Sequence, residues 1–158
     1  MSKYEELQTK YNEEEKKYKN GEQVDKLRLF YMGQALNAVD YTKRAFGVEL
    51  DFSEESIKAL EGILDRLEQI VKIEKPSDEQ ILLFSRAYAG YIGQVIIFKW
   101  GGKWIDEKEF NIDNGPALRV YISWERNLFL LSKVYRRITQ GASENIWGFY
   151  QMIKSETK

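Results

Sequence analysis

The chain contains no cysteine and no histidine. Those two absences remove disulfides, thiolate nucleophiles, the imidazole base of Ser-His-Asp and Cys-His catalysis, and zinc sites built on His or Cys ligands. Oxygen-ligand metal binding and chemistry from lysine, tyrosine and carboxylates survive. No sign of charge dominates either, with 24 Lys and Arg against 25 Asp and Glu, so the chain as a whole lacks the field of a general nucleic-acid binder. No window approaches eighteen consecutive apolar residues. The first nineteen residues are charged throughout and carry no apolar leader segment. The expectation is a chain that does not enter a membrane and works in the cytoplasm.

What is present is material for a core. The apolar fraction is 43%, and four Trp, eight Phe and ten Tyr make up an aromatic fraction of 14%, enough for burial to offset chain entropy. A length of 158 residues suits one domain over 1–158, with residues 1–20 as a charged, peripheral helix. Within 4–19, Tyr4, Leu7, Tyr11 and Tyr18 form a thin apolar stripe, one that could pack on its own domain or on a second copy of the chain. A second helix is predicted over 23–46, stopped by Gly47. Ser53, followed by Glu54 and Glu55, starts a third, on which Ile57, Leu60, Leu64, Leu67 and Val71 recur at helical spacing. Ser77 and Gln80 have the form of a capping box and open a long apolar helix over Asp78–Trp100.

After Gly101-Gly102 the pattern changes to short strands at 103–106, 110–112 and 117–123, the last with Leu118, Val120 and Ile122 alternating against Arg119 and Tyr121. Residues 124–131 supply a hairpin partner, with Glu125, Arg126 and Asn127 as its turn. Ser132 then caps a short helix carrying Val134, Tyr135 and Ile138 and ending at Gly141. Ser143 caps a last one reaching Ile153. The order predicts an α+β fold, mainly helical, with a small antiparallel sheet of three or four strands between the central helix and the C-terminal helices.

Three constellations bear on chemistry. Glu61, Asp65 and Glu68 fall on one helical stripe and have the oxygen chemistry of a Mg²⁺ or Mn²⁺ site, but Lys58, Arg66 and Lys72 lie within a turn, and charge pairing along an exposed face accounts for the pattern. Ala87, Gly90 and Gly93 form a strip of small residues that reads as close helix packing. Neither Gly90-Tyr91-Ile92-Gly93 nor Gly101-Gly102-Lys103 sits in a strand-to-helix turn as a phosphate loop requires, so the second reads as a helix cap. Lys133-Val134-Tyr135-Arg136-Arg137 mixes cations with an aromatic, as an anion or acidic-partner surface does. Its plainer reading is an amphipathic helix with Val134 and Ile138 inward and its cations outward. No nucleic-acid-binding motif accompanies it, so nucleic acid is not the expected partner.

Four stretches resemble, in order and spacing, an uncharacterised bacterial family, a domain of unknown function. They are Leu50-Asp51-Phe52-Ser53-Glu54-Glu55-Ser56, the run from Ala87 to Ile96, Gly101-Gly102-Lys103-Trp104, and Lys133 to Ile138 with Gly141 and Ser143. They span Leu50 to Tyr150. The resemblance implies an architecture of capped helix, glycine-bearing central helix, Gly-Gly-Trp exit into a small sheet, basic turn and final helix. It implies no catalytic residues, and the N-terminal helix lies outside it. In size, acidity and lack of catalytic residues the chain also looks like bacterial immunity proteins. The expected role is therefore non-enzymatic recognition of another protein, without catalytic residues, cofactor or metal. The candidate surface is Tyr88, Tyr91, Trp104, Lys133, Arg136 and Arg137. The alternative is a small-molecule-binding protein or enzyme using carboxylate, Tyr and Arg groups in a cleft beside the Gly90–Gly93 helix.

Overall fold

The computed structural model describes residues 1–106 and 115–157. Its elements run α1 (Lys3–Lys19), α2 (Lys26–Phe46), α3 (Glu54–Glu74), α4 (Asp78–Trp100), β1 (Lys103–Ile105), β2 (Ala117–Tyr121), β3 (Glu125–Leu128), α5 (Leu130–Gln140), a 3₁₀ turn (Ala142–Glu144) and α6 (Ile146–Ser155). The fold is α+β and mainly helical, with one antiparallel three-stranded sheet in the order β1-β2-β3 among the described residues. The strand expected at 110–112 lies outside those residues.

Side-chain caps fix most of the helix starts. Ser2, Asp25, Ser53 and Ser77 each accept a hydrogen bond from a backbone N–H of the first turn, and Gln80 closes the capping box back onto Ser77. Asp25 sets the start of α2 three residues later than the apolar pattern indicated, because its carboxylate takes the Arg28 N–H. Gly47 ends α2 in the left-handed conformation, at φ 68°.

The core sits around α4, which packs most extensively on α2 and α5. By length and composition α4 could cross a membrane, but 61% of that stretch is buried within the fold, as a core helix requires. The small-residue strip explains the closeness of its packing. A Cβ on Gly90 would sit 2.9 Å from the Tyr31 carbonyl oxygen and 3.0 Å from the Ala35 nitrogen of α2. A Cβ on Gly93 would sit 2.4 Å from the Trp104 ring. Glycine is what lets α2 and the Trp104 indole reach the helix axis. On its other side Trp104 stacks on Tyr31 with ring centroids 4.0 Å apart. From α1, Leu7 enters the core while Tyr4 and Tyr11 pack against its edge.

The sheet and its exit correct three expectations. Glu125, Arg126 and Asn127 lie in β3, and the chain turns earlier, at residues 122–124. The polar tripeptide looks like a turn, yet the register opposes Leu128 to Leu118 and Asn127 to Arg119. That pairing buries Leu128 and lets Asn127 accept from Arg119 Nε at 3.0 Å. Ser132 does not cap α5, which begins at Leu130 with no side-chain cap; its hydroxyl accepts from Arg136 instead. Ser143 does not cap α6 either. It lies in the 3₁₀ turn, and Asn145 takes the Gly148 N–H at 2.7 Å.

Candidate functional site

The six residues of the expected binding surface are not brought together. Tyr88 and Tyr91 are 1% and 0% exposed, so neither presents a surface. Tyr88 shares a 2.8 Å hydrogen bond with Thr42. The Tyr91 hydroxyl accepts from the Phe52 N–H at 2.8 Å and pairs with Ser56 Oγ at 2.6 Å. It thereby holds Phe52, a bulky residue at φ 66°, in a conformation L side chains rarely adopt. Burial pushes the phenols of Tyr88 and Tyr91 up to about 12. Trp104 is also buried, between Tyr31 and Gly93. The apolar period of α4 puts Tyr88 and Tyr91 inward because their rings are most of their area, and partners from other segments, Thr42 for one and Phe52 with Ser56 for the other, satisfy the hydroxyls.

The basic segment divides. Lys133 and Arg136 both reach Glu144 of the 3₁₀ turn, at 2.8 and 3.4 Å, and the Lys133 ammonium holds the Glu144 carboxyl below the usual carboxylate range. Arg137 does not point outward with them. Its position beside Val134 and Ile138 places it on the inner stripe, and it is 1% exposed. Its Nε meets Glu61 at 2.6 Å, its Nη2 meets Asp65 at 2.9 Å and its Nη1 meets Glu68 at 2.7 Å. The stripe considered as a metal face is thus a three-pronged receptor for a buried guanidinium. Among the described residues no group of three or more ligating side chains is arranged for a metal ion.

Of the neighbouring cations considered as pairing partners, Lys72 does pair with Glu68, at 2.7 Å. Arg66 lies over the Phe46 ring instead. The Lys72 hydrogen bond first, and Arg137 after it, hold the Glu68 carboxyl below its ordinary range against the opposing effect of burial. The other Glu61 oxygen accepts from the Ile146 N–H at 2.6 Å and the Trp147 N–H at 3.3 Å. It therefore receives the first donors of α6, where a carboxylate suits the helix dipole. One cluster joins α3, α5 and α6.

Among the described residues the most open aromatic side chains lie elsewhere. Tyr121 and Trp124, at the tip of the β2–β3 hairpin, are 64% and 58% exposed. The Arg126 guanidinium lies 5.7 Å from the Trp124 ring and is paired with Glu156 just past α6. Ser123 Oγ donates to the Glu156 carbonyl. One helical turn before Glu156, Met152 is 42% exposed. The turn expected at residues 125–127 lies three residues past the observed one, so the polar tripeptide hides this group. The signal was the alternation through Leu118, Val120 and Ile122, which leaves Tyr121 on the outer face.

The chain matches no protein-family model, no curated protein and no solved structure.

Proposed function

We propose that the protein is a non-enzymatic interaction module, an immunity-like or regulatory accessory protein of the bacterial cytoplasm, and that the β2–β3 hairpin tip with the adjacent end of α6 is its contact surface. The observation that carries this reading is the exposure of Tyr121 and Trp124 on a braced support. Trp, Tyr and Arg are the residue types that contribute most at protein interfaces. Here the Ser123 and Arg126 contacts to Glu156 hold the tip before any partner arrives, which lowers the ordering cost of association. The partner is a folded protein offering an apolar pocket for Trp124 and an acceptor for Arg126.

Support for the alternative of a cleft using Tyr88, Tyr91 and Arg137 is weak, since all three side chains are buried and engaged in structural pairs. The test is affinity capture from the source cell with two baits, the wild type and a Tyr121→Ser, Trp124→Ser double variant whose fold is checked by circular dichroism. A protein retained by the first and lost by the second is the expected result. Identical recovery with both baits, or none with either, overturns the proposal.

A further inference from the structure

An opening lies on other elements, beside α4 one residue past Gly93. It is a cleft of about 80 Å³ where the start of α2 meets α1, α4 and the α4–β1 turn. Three cations border it, each from a different element: Lys10 of α1, Arg28 of the first turn of α2, and Lys103 of β1. None of the three forms an ion pair or a side-chain hydrogen bond among the described residues. Asp25 also borders it, with one carboxylate oxygen turned back to cap α2.

The wall of the cleft carries the more telling group. Gln94 is 7% exposed, and its side-chain amide has no hydrogen-bond partner among the described residues. The polar end of this otherwise buried side chain keeps contact with solvent in the cleft, where a bound acceptor can take its N–H. The Trp104 indole, 5% exposed and likewise without a hydrogen-bond partner among the described residues, lines the same cleft. The N-terminal end of a 21-residue helix adds the positive pole of its dipole.

We propose that this cleft binds the phosphate group of a small phosphorylated ligand. The surrounding groups are chiefly donors and cations, three positive charges against one carboxylate, which suits an acceptor-only dianion. At roughly 10–15 Å³ per water by this measure, the space holds a handful of waters, enough for one phosphate group with the rest of its ligand in solvent. Arg28 supplies a planar fork for two phosphate oxygens, Lys10 and Lys103 neutralise from the rim, and the Gln94 amide donates from the wall. Gly101 still caps α4, its N–H bonded to the Ile97 carbonyl at 2.8 Å. The turn that follows gives Lys103 a second role.

The test is a titration of the full chain with inorganic phosphate at constant ionic strength, followed by NMR of the Gln94 side-chain amide, the Gly102 backbone amide and the Trp104 indole. Saturable shifts at these three groups are expected. Arg28→Gln and Lys103→Gln should each weaken binding by about tenfold, the loss of one charge-assisted hydrogen bond, with Lys133→Gln as an unaffected control. Lys103 is exposed, so its variant keeps the test open if Arg28→Gln fails to fold. Acetate should bind more weakly by a similar factor. Absent or unsaturating shifts, equal affinity in all variants, or acetate binding as tightly as phosphate overturns the proposal.

Discussion

At the scale of single residues, two substitutions separate what the fold needs from what it tolerates. The Tyr150 hydroxyl is fully buried and has no hydrogen-bond partner among the described residues. Its ring packs beside Trp100 and Trp147. Tyr150→Phe keeps the ring and removes an unsatisfied group, so it is expected to leave stability unchanged or raise it by about 1 kcal/mol, read as the urea midpoint. Gly90→Ala points the other way. Alanine is favoured over glycine within a helix by about 1 kcal/mol, but here the added methyl meets α2 backbone that cannot yield. Overpacking of this kind costs about 1–3 kcal/mol, so a net loss is expected. Gly62, also inside a helix but with nothing within 4 Å of its Cβ position, is the control: Gly62→Ala should stabilise. The spacing of Gly90 and Gly93 was legible in the sequence as close packing. Which partners approached was not, because Tyr31 and Trp104 lie in distant segments and period alone names no contact.

At the scale of elements, the cluster around Arg137 shows where local reading stops. The acidic stripe on α3 and the basic run on α5 were each visible. Within its own segment each has a sufficient explanation as a solvated face. The period of α5 held the missing signal, since a residue between Val134 and Ile138 that shares their face must be buried. Replacing Arg137 with Met leaves Glu68 buried with Lys72 alone and strips Glu61 of its cation at the start of α6. Breaking one side of a buried charge cluster costs about 3–5 kcal/mol. Arg137→Lys should recover little of it, since one ammonium cannot span three carboxylates that meet three different guanidinium nitrogens. Thermal unfolding measures the total. Faster hydrogen exchange at Ile146 and Trp147 relative to α4 would place the loss at the α3–α6 junction. The hairpin carries a similar lesson. Three consecutive polar residues resemble a turn, whereas the alternation before them fixes the register, and the register decides which side chains face out.

At the scale of the whole molecule, the class was readable because helical periods and caps recur along most of the chain, and a period-two run marks β2. Solvent conditions then act on the molecule through its buried phenols. Tyr88 and Tyr91 titrate near 12 in the fold against an ordinary value of 10.0. A folded value above the unfolded one means the native state favours the neutral phenol. The contribution is complete below pH 10 and drains away as the pH climbs to 12, at about 3 kcal/mol for each ring. Cooperative loss of helical circular dichroism in that window, coincident with phenolate absorbance, is the expected outcome. Unfolding already complete by pH 9 would contradict it. The chain order of the Arg137 cluster also bears on how the protein is born. Glu61, Asp65 and Glu68 leave the ribosome 69 to 76 residues before the arginine that binds them. At ordinary synthesis rates that is roughly 4–15 s. Through that interval Glu61 and Asp65 lack the guanidinium that pairs them in the fold, whereas Glu68 already has Lys72 one turn away on α3, so this face of the nascent helix is neutralised in two stages, the second only when α5 arrives.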